Sequence, residues 1–155
     1  MSGRMETDFQ YKALFKPVKK DDGTNILDSS IHDGDTIFGK RKPDPEVIIA
    51  KDATTRSDDV SRDGDYYRLN GVDTHEINSS DKDKRQMAAQ ERHAVMKFID
   101  EGMTEWKGDW PFIVSMFEEG SFGRPVVDLY RRSDGKSLNH WLVNEKFEDR
   151  NISYE

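Results

Sequence analysis

Three short stretches of this chain gather the side chains that could cut a phosphodiester. Asp33-Gly34-Asp35-Thr36 and Arg68-Leu69-Asn70-Gly71-Val72-Asp73-Thr74-His75-Glu76 supply carboxylates, threonines and an arginine, and Phe122-Gly123-Arg124 adds a second arginine. Carboxylates are hard oxygen ligands for a divalent cation. A glutamate can take a proton from water, and a guanidinium fork matches the geometry of a phosphate.

The elements around these residues must bring them together. Asp35 stands where one predicted strand begins and Asp73 where the returning strand ends. If the two strands pair as an antiparallel hairpin, its open ends meet, whatever its length. Two carboxylates brought together repel unless a proton or a cation separates them. Calcium, with several oxygen ligands, is a natural solution. Glu76 follows Asp73 by three residues and can reach the outer shell of such an ion to hold or deprotonate a water. Arg68 and Arg124, from different parts of the chain, can converge on one phosphate and neutralise charge growing in a five-coordinate transition state. Removing either should cost roughly 10²–10³ in rate. In an unbroken strand Arg68 and Asp73 would point to opposite faces. Gly71 allows a bulge that corrects this, or Asn70-Gly71 is an ordinary hairpin turn.

Residues 1–8 read as a flexible leader. Alternating Phe9, Tyr11, Ala13 and Phe15 predict a half-buried strand over residues 9–18. Asp21-Asp22-Gly23 reads as a turn. Residues 26–31 predict a continuation of the first sheet strand, running through His32 into Asp33-Gly34, and Thr36-Ile37-Phe38 opens the next. Residues 39–65 are a hairpin insertion with Pro43, Pro45, a short strand over residues 46–50 and an Asp-rich stretch. Asp63-Gly64 is a hairpin-type turn, and Tyr66-Tyr67-Arg68-Leu69 starts the return strand. Ala88, Val95, Phe98 and Ile99 predict a helix over residues 83–101 that stops at Gly102. Strands over 112–117 and 125–130 follow, then a turn at Ser133-Asp134-Gly135. A second helix carries Leu138, Trp141, Leu142 and Phe147 behind a Ser137 cap. Residues 149–155 read as a short polar tail. Five short strands with a helix between the third and fourth form the pattern of an OB-fold barrel, α+β overall and mainly β, in one domain over residues 9–148.

Composition narrows the choice further. Hydrophobic residues are 34% of the chain and charged residues 35%, so the core is small and the loops solvated. The absence of cysteine excludes disulfides, thiolate zinc sites and cysteine nucleophiles. Four scattered histidines make no zinc pattern, which favours oxygen ligands for any metal. No apolar run has membrane length, and no hydrophobic signal core opens the chain, so a cytoplasmic location is expected; a chain with its signal already trimmed would read the same. A net charge of −7 opposes tight storage on nucleic acid but suits an enzyme that must release its product. The cations cluster at Lys40-Arg41-Lys42, at residues 82–85, and at Arg131-Arg132 with Lys136, each either a basic patch or simply a solvated face.

The order and spelling of the three stretches resemble the staphylococcal nuclease (thermonuclease) family, whose members carry Asp-Gly-Asp-Thr, then Arg-Leu-x-Gly-(Ile/Val)-Asp-x-Pro-Glu, then (Tyr/Phe)-Gly-Arg. The similarity runs from about residue 26 to residue 143, with one large insertion before Arg68. The resemblance implies an OB-fold barrel with an enlarged hairpin between its second and third strands. It implies a calcium-dependent nuclease of DNA and RNA that leaves 3′-phosphate and 5′-hydroxyl ends. A monomer acting on single-stranded or locally melted nucleic acid is expected. Carried over by position, Asp35 and Asp73 are ligands through their carboxylates, Thr74 through its backbone carbonyl. Glu76 handles the water, and Arg68 and Arg124 clamp the phosphate. Asn139, Leu142 and Val143 match a structural second helix that braces the barrel. Tyr154 falls near an aromatic that packs on the nucleotide, or is a frayed end.

Three departures stand out. His75 replaces the family's proline, as a spare acid or metal ligand or as an exposed or packing residue. Asp59-Val60-Ser61-Arg62-Asp63-Gly64 echoes a calcium loop without the acidic residue needed at its twelfth position, and otherwise reads as a solvated turn. With the sequence stopping soon after the second helix, no counterpart of the family's C-terminal helix is expected in it. Two other functions compete with hydrolysis. One is a non-catalytic OB-type module that binds nucleic acid or protein, against which the full set of acids and arginines counts. The other is a small acidic interaction protein using residues 39–65 as its contact surface.

Overall fold

The computed structural model describes residues 11–20, 25–43, 64–116 and 125–153 of the 155. The strands are β1 (Tyr11–Pro17), β2 (Ile31–Asp33), β3 (Thr36–Pro43), β4 (Asp65–Leu69), β5 (Phe112–Met116) and β6 (Val126–Arg131). Five of them close a mixed barrel in the order β1-β5-β6-β4-β3, with β3 returning to β1, while β2 pairs with β3 alone. Every pairing is antiparallel except that of β4 with β6. The helix α2 (Lys82–Glu105) connects β4 to β5, the third and fourth barrel strands. The fold is thus an α+β barrel.

The barrel closes at Gly39. This residue pairs with Asp65 on β4 and with Pro17 on β1, so β3 passes there from one neighbour to the other. A Cβ at position 39 would lie 2.4 Å from the Phe15 ring and 2.6 Å from the Lys16 carbonyl oxygen. Only a residue without a side chain lets β1 and β3 approach this closely. Residues 40–43 therefore belong to the barrel and not to the expected insertion at 39–65. The short strand expected at 46–50 and nearly all of the calcium-loop echo lie outside the described residues.

Local chemistry overrides the predicted strand over 26–31. The Asn25 side chain accepts the N–H of Asp28 at 2.9 Å and caps a short helix, α1 (Ile26–Ser30), so that β2 begins only at Ile31. The long helix is predicted correctly in place but not in length. Asp81 caps it by accepting the N–H groups of Asp83 and Lys84. Gly102 does not end it. The helix runs on to Glu105, and the glycine serves packing on β5 instead, since a Cβ at 102 would lie 2.5 Å from the Phe112 ring. Ser137 caps α3 (Leu138–Trp141), its hydroxyl accepting the His140 N–H at 3.2 Å, and a single π-turn, Leu142–Lys146, continues it.

Inward residues of the strands meet the apolar stripe of α2. Phe15, Ile37, Tyr67, Leu69, Phe112, Val114, Val127 and Leu129 pack with Val95, Phe98 and Ile99, closed by Leu138 and Leu142. Phe15 and Tyr67 meet edge to face at 4.9 Å. The expected polar tail is not a tail, since Ile152 is fully buried and joins the same core. Strand alternation also divides the basic clusters. Arg41 turns inward onto the Tyr67 hydroxyl at 2.9 Å, and Arg131 is buried over the Phe98 ring, while Lys42 stays exposed. No helix of the described residues is long and apolar enough to cross a membrane.

Candidate active site

The mouth of the β3–β4 hairpin brings together most of the residues singled out above. Thr36 pairs with Arg68 across the two strands, and the Leu69 N–H donates to the Asp35 carbonyl at 2.9 Å. Asp35 thereby sits at the strand entrance, 6% exposed. Its carboxylate accepts the Thr36 hydroxyl at 3.0 Å and the Thr74 N–H at 3.2 Å. Thr74 thus meets Asp35 through its backbone, though the contact is made by its N–H.

Both readings of Gly71 contain part of the answer. β4 ends at Leu69, not at Asp73, and Asn70-Gly71 is a turn, closed by the Val72 N–H donating to the Leu69 carbonyl at 3.4 Å. Gly71 takes φ +76°, the left-handed region that glycine enters freely. The chain does not return along β4. Its Asp73 N–H donates to the Ile152 carbonyl at 2.7 Å, and Val72 bridges to Ser153. The turn is steadied by Asn139, which donates to the Asn70 carbonyl at 2.8 Å and to that of Val127 at 3.1 Å. Redirected in this way, Asp73 comes to the same side as Arg68, with Nη2 to Oδ1 at 3.7 Å. Asp73 and Glu76 are both exposed. Arg124 and Tyr154 lie outside the described residues.

Asp35 is poorly compensated. Burial pushes its carboxyl above the ordinary value of 3.8. The Arg68 charge, the Thr36 hydroxyl and the Thr74 N–H pull it down without cancelling the rise, and nearby Asp33 raises it further. Two buried oxygens of its neighbours, Asp33 Oδ1 two residues before it and Thr74 Oγ1 of the residue whose N–H it accepts, have no hydrogen-bond partner among the described residues. Unsatisfied hard oxygens beside a burdened carboxylate suit calcium in kind. Among the described residues, no three acidic or histidine side chains gather closely enough to hold an ion by themselves.

The sequence reading missed a second carboxylate beneath the same loop. Glu91 of α2 is fully buried. It accepts the His75 N–H at 2.8 Å, meets the His75 ring nitrogen Nδ1 at 2.9 Å, and accepts from Arg150 Nη1 at 2.9 Å. His75 is therefore a packing residue tied to α2. A Cβ on Gly34 would lie 2.8 Å from Thr74 Cγ2 and 3.3 Å from Glu91 Cβ, so the Asp33–Thr36 turn rests on this pair. The available signal was an acid inside the apolar stripe of α2, three residues after Ala88 and four before Val95.

No protein-family model matches the chain, and no curated protein matches it.

Proposed function

We propose that the protein is a calcium-dependent nuclease on an OB-type barrel of the staphylococcal nuclease kind, hydrolysing phosphodiester bonds of DNA or RNA. In this reading residues 44–63 are the enlarged hairpin between the second and third barrel strands, β3 and β4. A five-stranded barrel with its long helix between the third and fourth strands supports the architecture. The observation that carries the activity is Asp35, a buried and under-compensated carboxylate at the hairpin mouth, with Arg68 beside it and Asp73 on the same side.

Asp35, Asp73 and the Thr74 carbonyl would hold the ion. Bound calcium supplies positive charge against the phosphate and lowers the cost of ionising a water. Glu76, exposed beside the loop, takes a proton from the attacking water. The water oxygen bonds to phosphorus, the bond from phosphorus to the 5′ oxygen breaks, and that oxygen leaves as a hydroxyl after taking a proton from solvent. The phosphate stays on the 3′ side. Arg68 and Arg124 neutralise the charge that grows on the equatorial oxygens.

Digestion of plasmid and RNA in calcium against EDTA, with end-group analysis, tests this reading. Calcium-dependent cutting that leaves 3′-phosphate ends supports it; no cutting, or 5′-phosphate ends, removes it. One observation favours a non-catalytic binding module instead: Arg68 already engages Asp73. In that case calcium changes neither cutting nor binding.

A further inference from the structure

The outer wall of the barrel, away from the hairpin mouth, concentrates cations and aromatic rings in an acidic chain. Residues paired directly across neighbouring strands share a face. Lys42 of β3 lies opposite Leu14 of β1, Leu14 opposite Ile113 of β5, and Ile113 opposite Tyr130 of β6. One row across four strands thus runs from an exposed lysine over a buried leucine and a half-buried isoleucine to a half-buried tyrosine. The next row pairs Lys40 with Lys16, and Lys12 stands on the other side. Among the described residues, no acidic side chain forms an ion pair with any of these four lysines.

Two tryptophans border this wall. Lys16 Nζ lies 4.6 Å from the Trp110 ring centre, and Arg132 Cζ lies 4.2 Å from that of Trp106. Arg132 also donates to the Trp110 carbonyl at 3.2 Å, which joins the two. Trp110 is the one described residue other than glycine at positive φ, +64°. Such backbone is costly for a large side chain and persists where the surroundings impose it. Trp106, Ile113, Tyr130, Arg132 and Lys12 line an open cleft of about 450 Å³, and Lys16 and Trp110 line another of about 480 Å³. Among the described residues, Asp109 and Asp128 share the wall. Asp109 lines the second cleft, and Asp128 accepts the hydroxyls of Tyr130 and Ser137.

We propose that this wall binds single-stranded nucleic acid, at a site separate from the hairpin mouth. Lys42 stands six residues beyond Thr36 on β3, roughly 20 Å of strand. Charge alone would suit any polyanion. Rings interleaved with cations add what bases require, a stacking surface beside a phosphate track. The inference does not depend on hydrolysis.

Its test is anisotropy of a labelled oligothymidylate of about 16 nucleotides, with the full chain in EDTA and about 50 mM salt, together with tryptophan quenching. Binding should quench the tryptophans and weaken with salt, by about 0.7 in the log–log slope for each phosphate neutralised. Lys12→Glu/Lys16→Glu/Lys42→Glu, checked for an unchanged melting temperature, should bind at least about tenfold more weakly, with the slope lower by about 2. Trp106→Ala should weaken binding about tenfold without changing the slope. The proposal is overturned if the wild type does not bind, or if the triple variant binds like wild type. It is equally overturned if heparin, which has no bases, competes as an equal and no quenching occurs, since the wall would then take acidic polymers at large. A chain that binds but does not cut in calcium retains this site and loses only the nuclease reading.

Discussion

Two carboxylates lie on either side of Thr74, and they are treated in opposite ways. Glu91 has no exposed surface, yet a backbone N–H, an imidazole and a guanidinium surround it. Asp35 is nearly as buried but receives one hydroxyl and one N–H, with the Arg68 charge as its main compensation. A buried charge with every lone pair occupied fixes geometry. A buried charge short of partners destabilises the empty fold and is available to a cation.

The largest expected effect is on rate. Asp35→Asn and Arg68→Ala should each lower calcium-dependent cleavage by roughly 10²–10³, read from initial rates on a labelled substrate, whereas Glu91 should affect folding first. Next is the cluster itself. Arg150→Ala leaves the buried Glu91 carboxylate with His75 alone and should cost about 3 kcal/mol in urea unfolding. Glu91→Leu leaves Arg150, whose side chain is 24% exposed and can turn to water, so it should cost less. The reverse order would mean that the cluster does not depend on Glu91 being buried.

Smaller and opposite in sign is the effect of Asp35 on stability. Its folded pKa lies above its unfolded value, so the folded state favours the protonated form. The stability this confers is present below about 3.8 and is lost as pH rises through the folded value. At neutral pH Asp35→Asn should therefore raise the melting temperature in EDTA, at roughly 2–4 °C per kcal/mol relieved, with the gain fading towards pH 3.8. Calcium should raise the melting temperature of wild type more than that of the variant. Smallest is a surface control. The Asp134 carboxyl is held below its usual range by hydrogen bonding to Arg131, at 2.7 Å. Its contribution exists above the ordinary carboxylate range and disappears as pH falls through the lowered value. With 45% of the Asp134 side chain exposed, Asp134→Ala should cost less than about 1 kcal/mol.

Periodicity made the barrel legible. Alternation marked β1, the Asp63-Gly64 turn marked the start of β4, and the spacing of Ala88, Val95, Phe98 and Ile99 marked α2, because those patterns record which face meets the core and where the chain reverses. Boundaries failed where one side chain or one long-range contact decides. Asn25 turned a predicted strand segment into α1. Gly102 looked like a helix stop and serves packing against Phe112. In the candidate site, Asp35 and Arg68 come to one place because strand pairing joins them, which spacing can anticipate, whereas Asp73 joins them through the Asn70-Gly71 turn and a bond to the distant Ile152. Glu91 and Arg150 do so through tertiary contacts 59 residues apart in sequence, for which no local pattern exists.

The acidic loop borrows its last supports from far downstream. Asp73 takes its backbone partner from Ile152, and the layer beneath His75 is completed by Arg150. A nascent chain that has not yet reached residue 150 lacks the partners that finish this loop. Synthesis from the N-terminus therefore makes the hairpin mouth one of the last parts of the molecule to mature.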